Sequence, residues 1–194
     1  YYRTIAPTIL PYLAGRPESL NRHPDGIEAA GFFQKDVTGY VPRFVKIERI
    51  YSASVDKSID YLVCDNEATL LYMANLGCIE INPWLSRVGT LRMPDFCVID
   101  LDPDDSNTFD QVIEIAQAFH GILDAAGIPN FCKTSGATGL HICIPLGARY
   151  TFEQSRVFAE KMCAQVLEQF PKFTSTERSP GKRKGKIYLD AFQN

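Results

Sequence analysis

No run of about 18 consecutive apolar residues occurs in this chain, so no membrane-spanning helix is expected. The opening Tyr1-Tyr2-Arg3 lacks the basic leader and apolar stretch of a secretory signal. Cysteine occurs six times but never as C-x-x-C, which removes the spacing expected of a zinc ribbon or a thioredoxin-like redox pair. Most of the six lie in apolar runs such as Phe96-Cys97-Val98, and they read as reduced, buried thiols of a cytoplasmic protein. Charge of one sign is lacking too. Lys and Arg number 20 against 23 Asp and Glu, a formal net charge of −3, so any contact with nucleic acid has to come from local patches. Internal repeats and low-complexity linkers are absent.

What is there suits one domain of 194 residues. It divides into an N-terminal mixed subdomain, 1–84, and a second part, 85–194. The first opens with a helix and continues with short β-type runs, among them Phe44 to Tyr51 and Ile59 to Cys64. Asp65 or Asn66 then caps a helix that Gly77 ends. In the second part, Phe96 to Asp102 reads as a strand and Thr108 to Ala126 as a helix. Phe131 to Thr134 and Leu140 to Leu146 are strands around a glycine-rich turn. Thr151 to Gln154 is a capping box opening a helix to about Phe170, and Lys186 to Ala191 is a final strand. The order β-α-β-β-α-β is that of an RRM-like α+β unit. Both helices are expected on one face of an antiparallel sheet, with the first and third strands central and the fourth beside the first.

Strand side chains alternate between faces. Cys97, Ile99 and Leu101 form one set on the first strand, opposing Val98, Asp100 and Asp102. On the third, Leu140, Ile142 and Ile144 oppose His141 and Cys143; on the last, Ile187 and Leu189 oppose Tyr188 and Asp190. The apolar sets suit the helix-covered face, so Asp100, Asp102, His141 and Asp190 are expected to converge on the other. Three crowded carboxylates raise one another's pKa and favour a hard divalent cation, Mg²⁺ or Mn²⁺. Two such ions about 3.5–4 Å apart are the apparatus of phosphoryl transfer. Taken alone, Asp-x-Asp followed by Pro103-Asp104-Asp105 is also what a strand end leaving the core looks like. Asp190, remote in the chain yet facing the same way, tips the reading towards function.

Three further features point to phosphate and nucleic acid. The turn Ser135-Gly136-Ala137-Thr138-Gly139 offers backbone N–H groups and a hydroxyl to an anion, and His141 follows at once. Arg178, Lys182, Arg183, Lys184 and Lys186 lead into the strand bearing Asp190. Phe32-Phe33-Gln34-Lys35 places aromatics beside a base, fit for stacking on nucleobases. His23 and His120 read as ordinary.

With these residues in view, the chain resembles the polymerase domain of bacterial DNA ligase D, a branch of the archaeo-eukaryotic primase superfamily. The likeness runs through Tyr1-Tyr2, Ala14-Gly15-Arg16-Pro17, Pro24-Asp25-Gly26-Ile27, Phe32 to Lys35 and Pro83-Trp84. It continues through Asp100 to Pro103, Ser135-Gly136 with Gly139-Leu140-His141, Lys186 to Asp190 and Gln193-Asn194. The resemblance implies a template-directed polymerase adding nucleotides at broken DNA ends during non-homologous end joining, often ribonucleotides and often with Mn²⁺. It implies Asp100, Asp102 and Asp190 as metal ligands and catalytic groups. Ser135, Gly136, His141, Arg183 and Gln193 would contact the nucleoside triphosphate, with Arg22 close by. Phe32 and Phe33 would stack on a base, and Lys35, Lys182, Lys184 and Lys186 would face DNA phosphates. The implied partners are a primer–template end, NTP or dNTP, ligase and nuclease domains of the same polypeptide and a DNA-end-binding protein, in a bacterial cytoplasm at the nucleoid. The family domain extends beyond both ends of this chain, with a lysine-bearing segment before and an arginine-bearing segment after. Asn82 stands where many relatives have His, and Asn21 and Thr138 where some have Lys, departures that bear on nucleotide affinity and metal preference. Two other readings compete: a module that only grips DNA ends, and an Asp-x-Asp phosphohydrolase, which calls for a parallel sheet.

Overall fold

A computed structural model describes residues 1–39, 41–53 and 55–193. The chain forms two compact units, Tyr1–Leu91 and Arg92–Asn194. Asn194, the last residue of the Gln193-Asn194 motif, lies outside the described residues.

In the first unit, helix α1 (Tyr2–Leu13) is followed by strands β1 (Glu18–Arg22) and β2 (Phe32–Gln34), the hairpin β3 (Lys46–Ser52) and β4 (Lys57–Val63), helix α2 (Glu67–Asn75) and strand β5 (Cys78–Pro83). β1 is the centre of a three-stranded antiparallel sheet in the order β2-β1-β5. Of the two candidate caps for α2, Asn66 is the one used, its Oδ1 accepting from Thr69 N at 2.9 Å. Asp65 instead accepts from Gly15 N and Lys46 Nζ. Gly77 ends the helix at φ +73°, where a side chain would also meet the His23 carbonyl. Leu20, Leu62, Leu70, Met73 and Cys78 form the core of this unit, all fully buried. Each such side chain contributes roughly 1.5–3 kcal/mol relative to exposure.

The second unit contains β6 (Phe96–Asp102), α3 (Phe109–Ala125), β7 (Phe131–Thr134), β8 (Leu140–Pro145), α4 (Phe152–Gln169), β9 (Thr174–Ser175) and β10 (Ile187–Asp190). Its sheet runs β7-β8-β6-β10-β9. Without β9 this is the expected arrangement, with β6 and β8 central, β10 beside β6 and all three pairings antiparallel. β9 adds a short parallel edge to β10; its two polar residues carry no alternating pattern from which to foresee it. Both helices open with capping boxes, Thr108 with Gln111 and Thr151 with Gln154. Their apolar stripes, including Val112, Ile115, Phe119, Ala159, Cys163 and Val166, pack with Cys97, Ile99, Leu101, Ile142, Ile144, Ile187 and Leu189 in one core. The alternate residues therefore face away from the helices.

All six cysteines are free thiols. Cys64, Cys78, Cys97 and Cys163 are buried and Cys143 is half-buried, but Cys132 is exposed. That corrects the expectation of a uniformly buried set. Cys132 lies on β7, the sheet's edge, where every residue is exposed.

Candidate active site

On the sheet face opposite α3 and α4, the strand register builds a row. Asp100 of β6 pairs directly with His141 of β8 on one side and Asp190 of β10 on the other, and Lys133 of β7 pairs with His141. Asp102 lies opposite Tyr188. Residues directly opposite in an antiparallel pair share a face, so the three carboxylates, the imidazole and Lys133 project to the same side. Sequence alternation had assembled this set apart from Lys133, whose short edge strand has no buried face to mark its alternation.

Burial first, then the negative charges of Asp102 and Asp190, push the Asp100 carboxyl up to about 6, with Lys133 opposing. His141 Nε2 lies 3.4 Å from Asp100 Oδ1, long for a hydrogen bond. Burial, helped by Lys133, lowers the imidazole below its ordinary value. A carboxylate partner alone would raise it, so desolvation decides the sign, and at neutral pH the pair is carboxylate with neutral imidazole.

The other two carboxylates are held by protein donors. Asp190 Oδ1 accepts from Phe192 N at 2.7 Å and Tyr188 Oη at 3.2 Å, and its Oδ2 from Gln193 Nε2 at 3.3 Å. Gln193 is thus turned to Asp190. Asp102 Oδ2 accepts from Arg183 Nη1 at 3.0 Å. Arg183 also donates from Nε to the Glu177 carbonyl and from Nη2 to the Arg178 carbonyl, and its guanidinium lies 3.9 Å from the centre of the Tyr188 ring. Among the described residues, no three His, Cys, Asp or Glu side chains close into a metal-ligating cluster. The donor set nevertheless fits a hard divalent ion. It is all oxygen, on adjacent strands, and carries enough like charge to raise Asp100. A cation bound by all three would compete with the donors that Asp102 and Asp190 now hold.

In the glycine turn, Ser135 Oγ accepts from Ala137 N and Gly139 N, which leaves its own O–H as the donor it can offer. Gly136 is at φ +103° with open space around it, whereas a side chain at Gly139 would collide with the Leu101 carbonyl. Glycine at 139 therefore lets the turn press against the end of the strand carrying Asp102. Of the backbone N–H groups the turn was expected to offer to an anion, those of Ala137 and Gly139 are directed to Ser135 Oγ instead. Asp104 Oδ1 accepts from Ser106 N and Oγ, and Asn107 Nδ2 donates to the Gly185 carbonyl. Through Asn107 the acidic loop holds the basic one. Pro103, Asp104, Asp105, Pro180, Arg183 and Lys186 line an open hollow of about 220 Å³ between them. Lys182 and Lys184 are exposed, and Lys186 donates to the Pro171 carbonyl.

The first unit places Arg22 and Phe32 opposite each other in β1 and β2, the guanidinium 5.2 Å from the ring centre. Arg22 also donates to the Leu76 carbonyl and Gln34 Oε1. Phe33 and Lys35 are exposed. Asn21 and Asn82, the two departures in this unit, both donate to Glu80. The half-buried His23 directs Nδ1 at the Ala29 carbonyl, and the exposed His120 directs Nδ1 at Asn130 Oδ1.

Among the described residues, no helix is long and apolar enough to cross a membrane. The family model for the LigD primase-polymerase domain matches residues 1–194. A bifunctional non-homologous end joining protein LigD of Bacillus subtilis is 31% identical over this whole chain, and the multifunctional LigD of Pseudomonas aeruginosa is 32% identical. The chain spans 31% and 23% of those two proteins. The solved polymerase domain of Mycobacterium tuberculosis ligase D, in complex with DNA, superposes with a TM-score of 0.91 at 25% identity, over all of this chain and 69% of that one. The chain belongs to the LigD primase-polymerase domain family, whose members are nucleotidyltransferases.

Proposed function

We propose that this chain extends a primer 3′-hydroxyl at a DNA break, adding nucleotides directed by a template strand during end joining. Asp100 paired in register with Asp190, its carboxyl pushed up to about 6, is the observation that carries the reading. Asp100, Asp102 and Asp190 would hold two divalent ions, Mn²⁺ or Mg²⁺, which when bound supply the positive charge that offsets the carboxylates and the triphosphate. His141, neutral at pH 7, donates to a phosphate oxygen. Ser135 offers its hydroxyl and Gly136 the room for a close approach, while Arg183, with Gln193 beside Asp190, supplies donors for the triphosphate. The exposed Phe33 and the Arg22–Phe32 pair give the first unit a stacking surface for bases. Exposed Lys35, Lys182 and Lys184, with Lys186, contribute salt-sensitive contacts to the DNA backbone. Further domains in the same polypeptide, ligase and nuclease among them, and a DNA-end-binding partner belong to this reading. The relatives' names, bifunctional and multifunctional, and the 31% and 23% of their length that this chain spans support the presence of other domains.

The antiparallel pairing of β6 with β8 and β10 goes against the phosphohydrolase reading. The test is incubation with a labelled primer–template, each nucleotide type, and Mn²⁺ or Mg²⁺ in turn. Extension with pyrophosphate release, lost in Asp100→Ala, is the expected result. End binding without extension, unaffected by loss of Asp190, would make the chain a gripping module instead.

A further inference from the structure

The contacts of Arg183 say more than that it is a phosphate ligand. Its guanidinium is anchored on three sides away from the proposed metal ligands, by the Glu177 and Arg178 carbonyls and the Tyr188 ring, and on a fourth by one of those ligands, the Asp102 carboxylate. Tyr188 is 3% exposed and sits opposite Asp102 in the β10–β6 register, so the ring is a fixed platform under the cation. Its hydroxyl reaches Asp190 at 3.2 Å. One buried side chain therefore touches both the arginine that occupies Asp102 and a second carboxylate of the set, Asp190.

We propose that Arg183, stacked on Tyr188, is an internal counter-ion of Asp102 that a divalent cation must displace, so that nucleoside triphosphate and metal bind with mutual positive cooperativity. The inference rests on the functional reading above. A cation taking Asp102 removes the partner of Arg183 Nη1, and a triphosphate supplies a new one a short distance away without breaking the three other anchors. Conversely, a triphosphate that draws Nη1 off Asp102 leaves that carboxylate unpaired and more attractive to metal. Linkage makes the two effects equal in size. Their size is modest because Asp102 is 53% exposed at the side chain and the pair is screened by water. Tyr188 is here a positioning residue. Removing its ring weakens the hold on Asp102 while leaving the arginine's charge in place.

The test is a titration of the purified protein with Mn²⁺ alone, followed by electron paramagnetic resonance of the unbound ion, with circular dichroism confirming the fold of each variant. Arg183→Gln should bind Mn²⁺ about two- to fivefold more tightly than the parent protein, and Arg183→Lys, which keeps the charge, should stay near it. Tyr188→Leu should bind Mn²⁺ more tightly than Tyr188→Phe. Both lack the hydroxyl and both keep Arg183, so only the platform differs. A purely structural arginine would give weaker Mn²⁺ binding in Arg183→Gln, and that result overturns the proposal, as does equal binding by the two Tyr188 variants. Primer extension by the parent protein is scored separately. Its presence together with unchanged Mn²⁺ binding in Arg183→Gln defeats the counter-ion and leaves the polymerase reading standing. Its absence defeats the polymerase reading whatever the Mn²⁺ titration gives.

Discussion

In the first unit one carboxylate, Glu18 on β1, is buried at 1% exposure, and neither of its oxygens has a hydrogen-bond partner among the described residues. In the second, Asp100, Asp102 and Asp190 stand together on a half-open sheet face. Both regions raise a carboxyl, but by different routes. Glu18 is pushed up to about 8 by burial, with the positive charge of Arg16 only partly opposing. Asp100 is pushed up to about 6 by burial together with the charges of its two acidic neighbours. The lone acid relieves its cost by keeping a proton. The clustered acids can relieve theirs with a cation, as the proposed function requires.

The largest expected effect separates the two regions by function. Asp100→Asn should lower primer extension by at least about 10²-fold, the scale seen when one group acting on developing charge is removed. Its thermal midpoint should hold or rise, because a like charge has been taken from the cluster. A variant that melts early and loses activity in proportion would mean that the cluster is structural.

Glu18 should behave in the opposite way, moving stability strongly. The folded carboxyl titrates at about 8 and the unfolded one at its ordinary value of 4.5. The folded state therefore binds more protons across that window, and stability falls as pH rises through it. Ionisation of the unfolded chain alone costs about 3 kcal/mol by pH 7. Glu18→Gln should flatten this slope, and Glu18→Leu should flatten it and also remove an unpaired polar group from the core. Urea unfolding at pH 5, 6, 7 and 8 reads both. A parent protein whose stability is level across those pH values would remove Glu18 from the comparison.

How much of this was legible in the sequence follows from what each pattern encodes. Alternation is local. It placed Asp100, His141 and Asp190 on one face because β6, β8 and β10 each have a continuous apolar side facing α3 and α4. The Thr151 box was equally local. Alternation gives the face and not the partner: Tyr188, Phe192 and Gln193 all lie within three residues of Asp190, yet only the turn that follows β10 brings their donors back onto its carboxylate. Glu18 escaped notice for a related reason. In Pro17-Glu18-Ser19-Leu20 it looks like any polar strand residue, and its surroundings come from distant chain: Glu18 pairs with Pro83 of β5, and Pro17 beside it bridges to Val63 of β4. Cys132 erred in the other direction, since an apolar run on an edge strand looks like one in a sheet centre.

Asp104 supplies the third case, and the smallest effect. It is exposed, and hydrogen bonds from Ser106 N and Oγ hold its carboxyl below the ordinary 3.8. Its contribution therefore has the reverse sign to that of Glu18. It is present above 3.8 and is lost as pH falls through the lowered folded value. Asp104→Asn should cost a little of the thermal midpoint at pH 7 and nothing at a pH where the parent carboxyl is itself protonated. Midpoints of parent and variant measured from pH 7 down to pH 2 should converge at the acid end. A difference that stays constant would mean that Asn fails in shape rather than in charge, with the loop's hold on Gly185 left to Ser106 and Asn107. Convergence would mean that the Asp104 carboxylate is kept at the surface by the Ser106 donors alone, where Glu18 in the core is kept by a proton.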